Sequence, residues 1–321
     1  MLVSGQFRLS VFVAGCLWLL AAPLPADDAE GVKLVYKFNK GEKTLFRTGG
    51  ELKQVQTINN QKIETTMNTT SFGSRLVDTV DETGAARIKV KTERMTIKSS
   101  IAGQTDYEFD SKSTERDKSS AIGAALTPLY ERLSGVELEL SIAANGEIKD
   151  LKGYAEALGD LLKDNPIGAG FTGGGSNDAA KTNAQELFPV MSDKPVKPGD
   201  TWGRPVDIDL KGIGKIKGKV TYKYVGPDKL GERATAKITA ITDLSIEINL
   251  DVTGAKATGT LTSSNSEATV QFDPAAGRVV SYKSTQTIGG QLSIDVNNMT
   301  IPLQSDQTQA TTYELLDKLP E

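Results

Sequence analysis

Two stretches of this chain open in the same way, and that repetition constrains the fold more than anything else in it. Val196-Lys-Pro-Gly-Asp-Thr-Trp202 restates Asn39-Lys-Gly-Glu-Lys-Thr-Leu-Phe46: a glycine, an acid, then an aromatic that begins a strand. The segments downstream of the two openings match as well. Leu76-Val77-Asp78 leads through Glu82-Thr83-Gly84 into alternating Ala86, Ile88 and Val90, with Met95 and Ile97 in the shifted register. That change of phase near Glu93-Arg94 predicts a bulge. In the second copy Tyr224-Val225-Gly226 leads through Leu230-Gly231-Glu232 into Ala234, Ala236 and Ile238, and Leu244, Ile246 and Ile248 carry the same face onward. Period-two alternation on either side of a glycine turn is the pattern of a hairpin with one apolar face.

Further hairpins correspond as well. Leu138, Leu140 and Ile142 alternate into Asn145-Gly146 and Ile148, and Val270 and Phe272 run into Asp273-Pro-Ala-Ala-Gly277, then Val279 and Tyr282. Asn-Gly is a strong short-range turn signal. Before the first opening, Val32, Leu34, Tyr36 and Phe38 alternate with Lys33, Val35 and Lys37, which predicts a half-buried strand.

Between the two β-rich stretches the period changes. Ile122, Leu126, Leu129, Tyr130 and Leu133 fall at helical spacing, with Thr127-Pro128 offering the cap and first turn of a shorter helix. Leu151, Tyr154, Leu158, Leu161 and Leu162 form a second stripe that ends at Asn165-Pro166, and Asp178 offers a cap for a third helix running towards Leu187. The expected fold is mainly β (α+β), with antiparallel strands in two related halves and a helical insert between them. The first half covers 27–118, the insert 119–194, with a β-hairpin over 137–149 and a glycine-rich loop over 166–176, and the second half 195–321. For 307–316 the pattern fits a closing strand or a short helix equally.

The first 26 residues read as a secretory signal: Arg8, an apolar run over Leu9–Leu20, and Leu24-Pro25-Ala26 before Asp27-Asp28, with cleavage after Ala26. Val13-Ala-Gly-Cys16 resembles a lipobox, but the apolar run continues past Cys16, so ordinary cleavage is preferred. Either route exports the protein to the periplasm or beyond.

The chain of 321 residues has no histidine and one cysteine, Cys16. That removes Ser-His-Asp catalysis, Cys/His metal sites and, in the exported protein, any disulfide. A net charge of −4 argues against nucleic acid as a partner. Gly168-Ala-Gly-Phe-Thr-Gly173 spells GxGxxG, but a helix and a proline precede it where a dinucleotide site needs a strand. Asp207/Asp209 and Glu137/Glu139 each place two carboxylates on one face of a strand, and both pairs read as a solvated outer face. No catalytic, cofactor-binding or metal-binding residue is assigned, and no cofactor is expected.

The Lys-Gly-Glu and Pro-Gly-Asp-Thr-Trp openings and the hairpins ending in Ala-Asn-Gly or Ala-Ala-Gly resemble a family of exported bacterial β-rich proteins known only as a domain of unknown function. The resemblance covers nearly the whole exported chain and implies location in the cell envelope and no established activity. At greater distance, Phe272-Asp-Pro-Ala-Ala-Gly-Arg-Val279 and the long strands resemble the half-barrel carriers that ferry lipoproteins or lipids in bacterial envelopes.

The expected function is a non-enzymatic envelope binding or structural protein that holds an apolar, lipid-like ligand between sheet and helices. Leu129, Tyr130, Tyr154, Leu158, Leu162 and Phe171 would line that groove. The alternatives are a histidine-free, carboxylate-dependent hydrolase of glycosidase type, and a scaffold that pairs with an envelope protein through exposed strand edges.

Overall fold

The computed structural model describes residues 31–101, 105–118, 120–162, 176–210, 213–252, 255–296 and 299–320. The signal segment, the GxGxxG stretch and Phe171 therefore lie outside the described residues, as does the side chain of Leu162.

One antiparallel sheet of twelve strands dominates the molecule. The first meander comprises β1 (Lys43–Ile58), β2 (Gln61–Val80), β3 (Ala86–Ile101), β5 (Glu137–Ile142) and β6 (Ile148–Lys152), with β4 (Thr105–Asp110) hanging from β3. The second comprises β7 (Thr201–Leu210), β8 (Gly214–Leu230), β9 (Arg233–Val252), β10 (Ala255–Asp273) and β11 (Arg278–Val296). The closing strand β12 (Met299–Leu316) inserts between β1 and β11, giving the order β6-β5-β3-β2-β1-β12-β11-β10-β9-β8-β7. So 307–316 is strand, in the middle of the sheet, because both neighbours offer it unpaired edges along nearly its whole length.

The repetition read from the sequence recurs hydrogen bond by hydrogen bond. Gly41 N donates to Val77 O (2.8 Å) and Val77 N to Glu42 O (3.0 Å); Gly199 N donates to Tyr224 O (2.8 Å) and Tyr224 N to Asp200 O (3.0 Å). Both glycines need positive φ, 82° and 98°, which a residue with a Cβ adopts only at a cost. A register shift comes directly after each bracketed residue, between Val77 and Thr79 and between Tyr224 and Gly226. The bulge expected near Glu93 is present too, since Phe72 faces Arg94 while Gly73 faces Thr92.

Three helices are described, all between the two meanders. α1 (Ala121–Leu133) begins earlier than the shorter alternative allowed: Ser120 caps it by accepting from Gly123 N, and Pro128 lies inside. Thr127 is thus not a cap; its hydroxyl donates to Asp117 O (2.6 Å) and meets Tyr107 Oη (3.0 Å). α2 spans Tyr154–Leu162, and α3 spans Asn177–Glu186 with Ser176 as its cap in place of Asp178, which sits in the first turn.

The expected strand over 32–38 is also corrected. This segment is extended, with Leu34 and Tyr36 buried, Phe38 half-buried and Val32 exposed, but it joins no ladder. Val32 pairs with Val196 alone; Tyr36 N donates to Ala144 O (2.9 Å) and Lys37 N to Gly277 O (3.0 Å). The segment is a strap joining the tips of the β5/β6 and β10/β11 hairpins. Leu34 and Tyr36 are buried beneath it in a core cluster that includes Ile148 of β6, Val206 of β7 and Tyr313 of β12. A cluster drawing on both edge strands and the centre requires the sheet to curl around it.

α3 and the segment after it bridge the two edges. Gln185 Oε1 accepts from Ile148 N (2.9 Å), and its Nε2 donates to Gly146 O (2.9 Å), which ties α3 to the β5/β6 tip and the first residue of β6. From the other edge, Trp202 Nε1 donates to Val190 O (2.6 Å). The strap predicts its own sensitivity. At Gly277 (φ 64°) an added Cβ would lie 2.5 Å from Lys37 N. Gly277→Ala should therefore cost about 2 kcal/mol, from left-handed strain plus displacement of the strap. Chemical denaturation would show it, and an unchanged midpoint would contradict the close approach.

Candidate ligand-binding site

The inner face of the curled sheet falls into three zones along the strands. At the hairpin-tip end it is closed core. Tyr282, Val270, Ile238 and Tyr224 are at most 6% exposed there, beneath the strap and α3.

The middle zone is mostly polar, with Leu52 of β1 and Met67 of β2 its apolar members. Thr48, Gly50 and Gln54 of β1, Thr69 of β2, and Gln307, Gln309 and Thr311 of β12 share the inner face by register. With Asn183 and Glu186 of α3 and Leu187 just after it, they line a cavity of about 760 Å³. A smaller one of about 50 Å³ adjoins it, shares Glu186, Gln309 and Thr311, and reaches Arg204 of β7 and Tyr282, Ser284 and Gln286 of β11.

Glu186 is open to water from the larger cavity, yet protein surrounds it on the other sides. That desolvation raises its carboxyl to about 7, against a weaker opposite pull from Arg204. Burial likewise raises the Tyr282 hydroxyl well above its usual range, and the Glu186 charge adds to the effect. The folded protein holds the Glu186 proton more tightly than the unfolded chain. The contribution to stability is therefore full below about pH 4.5 and is lost as pH rises through about 7. Glu186→Gln should flatten that part of the stability–pH curve, and melting curves across the range would show whether it does.

The third zone is apolar and open. One row across the sheet reads Ile208, Ile216, Ile246 and Leu261. The next reads Leu210, Gly214, Ile248, Gly259, Leu292, Leu303 and Ile58, from β7 to β1. A third reads Leu250, Ala257, Ile294 and Ile301. Leu303 is buried and the other side chains in these rows are half-buried, while intervening residues such as Lys217, Glu247 and Asp295 are exposed on the outer face. This is an apolar floor four to seven strands wide, at about 4.8 Å per strand.

The residues expected to line a groove do something else. Leu129, Tyr130 and Leu158 are 1%, 8% and 0% exposed, packed with Ile97, Tyr107, Phe109, Ile122 and Leu126, and Tyr154 lies half-buried against them. They seal α1 and α2 onto β3 and β4, and none of them lines either cavity above. Leu158→Ala should cost about 3 kcal/mol as a core cavity while leaving the inner face of the sheet intact. Thermal unfolding alongside ligand uptake would separate the two effects.

The paired carboxylates sit on the solvated face. Asp207 and Asp209 are opposite Lys217 and Lys215, while Glu137 and Glu139 lie 3.5 Å and 3.7 Å from Lys89 and Arg87. Among the described residues no group of three or more acids or other ligating side chains could hold a metal ion, and no helix is long and apolar enough to cross a membrane.

No curated protein matches the chain. Among solved structures, lipovitellin, in a study of its lipid–protein interactions, is similar over 89% of this chain at 11% identity with a TM-score of 0.45, and the chain spans 26% of it. A domain assigned to outer membrane lipoprotein sorting from Vibrio parahaemolyticus is similar over 86% of this chain and 87% of its own, at 7% identity and a TM-score of 0.15. The Pseudomonas aeruginosa protein OccK5 (OpdH) is similar over 86% of this chain and 98% of its own, at 6% identity and a TM-score of 0.24. At such TM-scores these likenesses carry no argument about function. The model of one family does match, over residues 83–279, more than half of the chain. The protein belongs to the family of unknown function DUF6263.

Proposed function

We propose that this protein is a non-enzymatic binding protein of the bacterial envelope that holds an acyl chain against the inner face of its sheet. The observation that carries the reading is the apolar floor of Ile246, Leu261, Leu292, Ile294 and their neighbours, which begins one row along the strands, past Gln56, Ser305 and Gly290, from the cavity of about 760 Å³. That volume lies within the range typical of small-ligand sites. Each buried methylene contributes about 0.8 kcal/mol, so a chain of about a dozen carbons gains on the order of 10 kcal/mol before the cost of immobilisation. Relative to the groove expected from sequence, the ligand moves from the α1/α2 stripes to the sheet.

The alternatives fit less well. A carboxylate hydrolase needs a second acid facing Glu186. The charged group opposite it is Arg204, and Glu267, though close by, pairs in register with outer-face Ile241 and Thr285. An edge-pairing scaffold needs long open edges, but β6 is five residues long with its first donor taken by Gln185, and Pro205 interrupts the donors of β7.

The test is native mass spectrometry of the protein purified from its own envelope fraction, with organic extraction of what co-purifies. A stoichiometric acyl-chain adduct lost on denaturation supports the reading. An adduct-free mass that stays so after incubation with phospholipid vesicles sinks it.

A further inference from the structure

We infer that the junction of the two cavities is a headgroup site for a zwitterionic amphiphile, one that carries a phosphate beside an ammonium. The inference rests on the acyl-chain reading and adds the chemistry of the ligand's head.

Two opposite charges come close here and fail to meet. Glu186 on α3 and Arg204 on β7 line the same small cavity. Among the described residues no ion pair joins them, and neither side chain is hydrogen-bonded to another group. Arg204 Nε is buried without a partner. The cost falls on Arg204, whose Nε is out of reach of water and unpartnered, while Glu186 keeps water from the larger cavity. They should close on one another unless something of matching charge belongs between them.

A phosphate fits Arg204, whose planar fork recognises such oxygens in bidentate fashion. An ammonium fits the Glu186 carboxylate. Uncharged polar groups surround them: Ser284, Gln286, Gln309 and Thr311, suited to the esters or hydroxyls that join head to chain. Two other carboxylates border the space, both outer-face by register: Glu267 of β10, opposite Thr285 and Ile241, and Glu51 of β1, between inner-face Gly50 and Leu52. Tyr222 of β8 and Tyr282 of β11 are buried, and β1 and β12 contribute threonine and glutamine from their inner faces.

The path onward suits a chain. From Gln286 the inner-face residues of β11 continue Ile288, Gly290, Leu292 and Ile294. The head site therefore opens onto an apolar track, Ile288 to Ile294, of roughly 20 Å at the usual rise per strand residue. A head between Glu186 and Arg204 and a tail over Leu292 place both parts of one amphiphile without turning it.

The test is competition binding of three probes with matched acyl chains: phosphatidylethanolamine, phosphatidylglycerol and uncharged diacylglycerol. At about pH 8, where Glu186 is ionised, phosphatidylethanolamine should bind about tenfold more tightly than either of the others. The preference over phosphatidylglycerol should vanish near about pH 5.5, as Glu186 takes up its proton, and in Glu186→Gln at either pH. Arg204→Gln should weaken both phospholipids and leave diacylglycerol unchanged. Equal binding of all three probes by the unaltered protein at about pH 8 overturns the headgroup inference while leaving the acyl-chain reading in place. If none of the three binds, both fall. Because selectivity of the unaltered protein is itself a readout, a variant that fails to fold does not rescue the proposal.

Discussion

Replacing Tyr36 by alanine should destabilise the protein by about 4 kcal/mol, among the largest effects available to a single substitution here. The residue lies in a segment that forms no strand, yet it is 4% exposed. Its ring stacks on Phe38 (5.8 Å), meets Phe272 edge-on (5.4 Å) and tilts against Phe188 (6.0 Å). Its hydroxyl donates to Pro189 O at 3.1 Å, and burial holds the phenol well above its usual pKa, so it stays a donor at every physiological pH. The ring also covers Gly146, where any Cβ would come within 2.3 Å of it. Removing it opens a cavity between the strap, the β5/β6 tip and the β10/β11 tip at once. Tyr36→Phe should cost only about 1 kcal/mol, the value of one buried hydrogen bond. Denaturant midpoints for both variants would measure the difference. A loss below about 1 kcal/mol for the alanine variant would mean that the strap decorates the core and does not lock it.

That strap marks the limit of what alternation can show. Leu34, Tyr36 and Phe38 have the same period as a true strand, and the inward face was legible. The partners of a segment's backbone are another matter. A period of two fixes which side chains share a face, but an extended chain can satisfy its backbone from hairpin tips as well as from a ladder. Turns carried more information. The Asn145-Gly146 and Gly277 tips lie where composition put them, with positive φ at Gly146 (90°) and Gly277 (64°). The duplicated openings were legible because the Gly-acid pair serves one hydrogen-bonding role twice, around Val77 and Tyr224.

The site was less legible, for two physical reasons. Helical stripes such as Leu129, Tyr130 and Leu158 show that a face is apolar and not whether something already covers it. Here β3 and β4 cover it. Conversely, Leu244, Ile246 and Ile248 looked like ordinary core strand, whereas their face extends beyond the helices. Glu186 gave no signal at all. A single glutamate at a helix end becomes distinctive only once the curl of the sheet brings Arg204 and Tyr282 to it.

The apolar floor therefore carries the second large prediction. Ile246→Asp combined with Leu292→Asp should lower affinity for an acyl-chain probe by more than about a hundredfold, since each lost side chain removes on the order of 1.5 kcal/mol or more of contact and each carboxylate must be desolvated. The two positions lie on β9 and β11, separated by β10, so the new charges do not face each other directly. Both residues are half-buried, so the fold should survive with a far smaller penalty than Tyr36→Ala incurs. If the aspartates do unfold the protein, the milder pair Ile246→Thr and Leu292→Thr keeps strand propensity and should still cost about tenfold in binding. Leu158→Ala reverses the pattern, with stability lost and probe binding retained. Should the floor variants bind the probe as well as the unaltered protein does while Leu158→Ala loses it, the ligand belongs with the helices after all, and the sheet's apolar face serves another purpose.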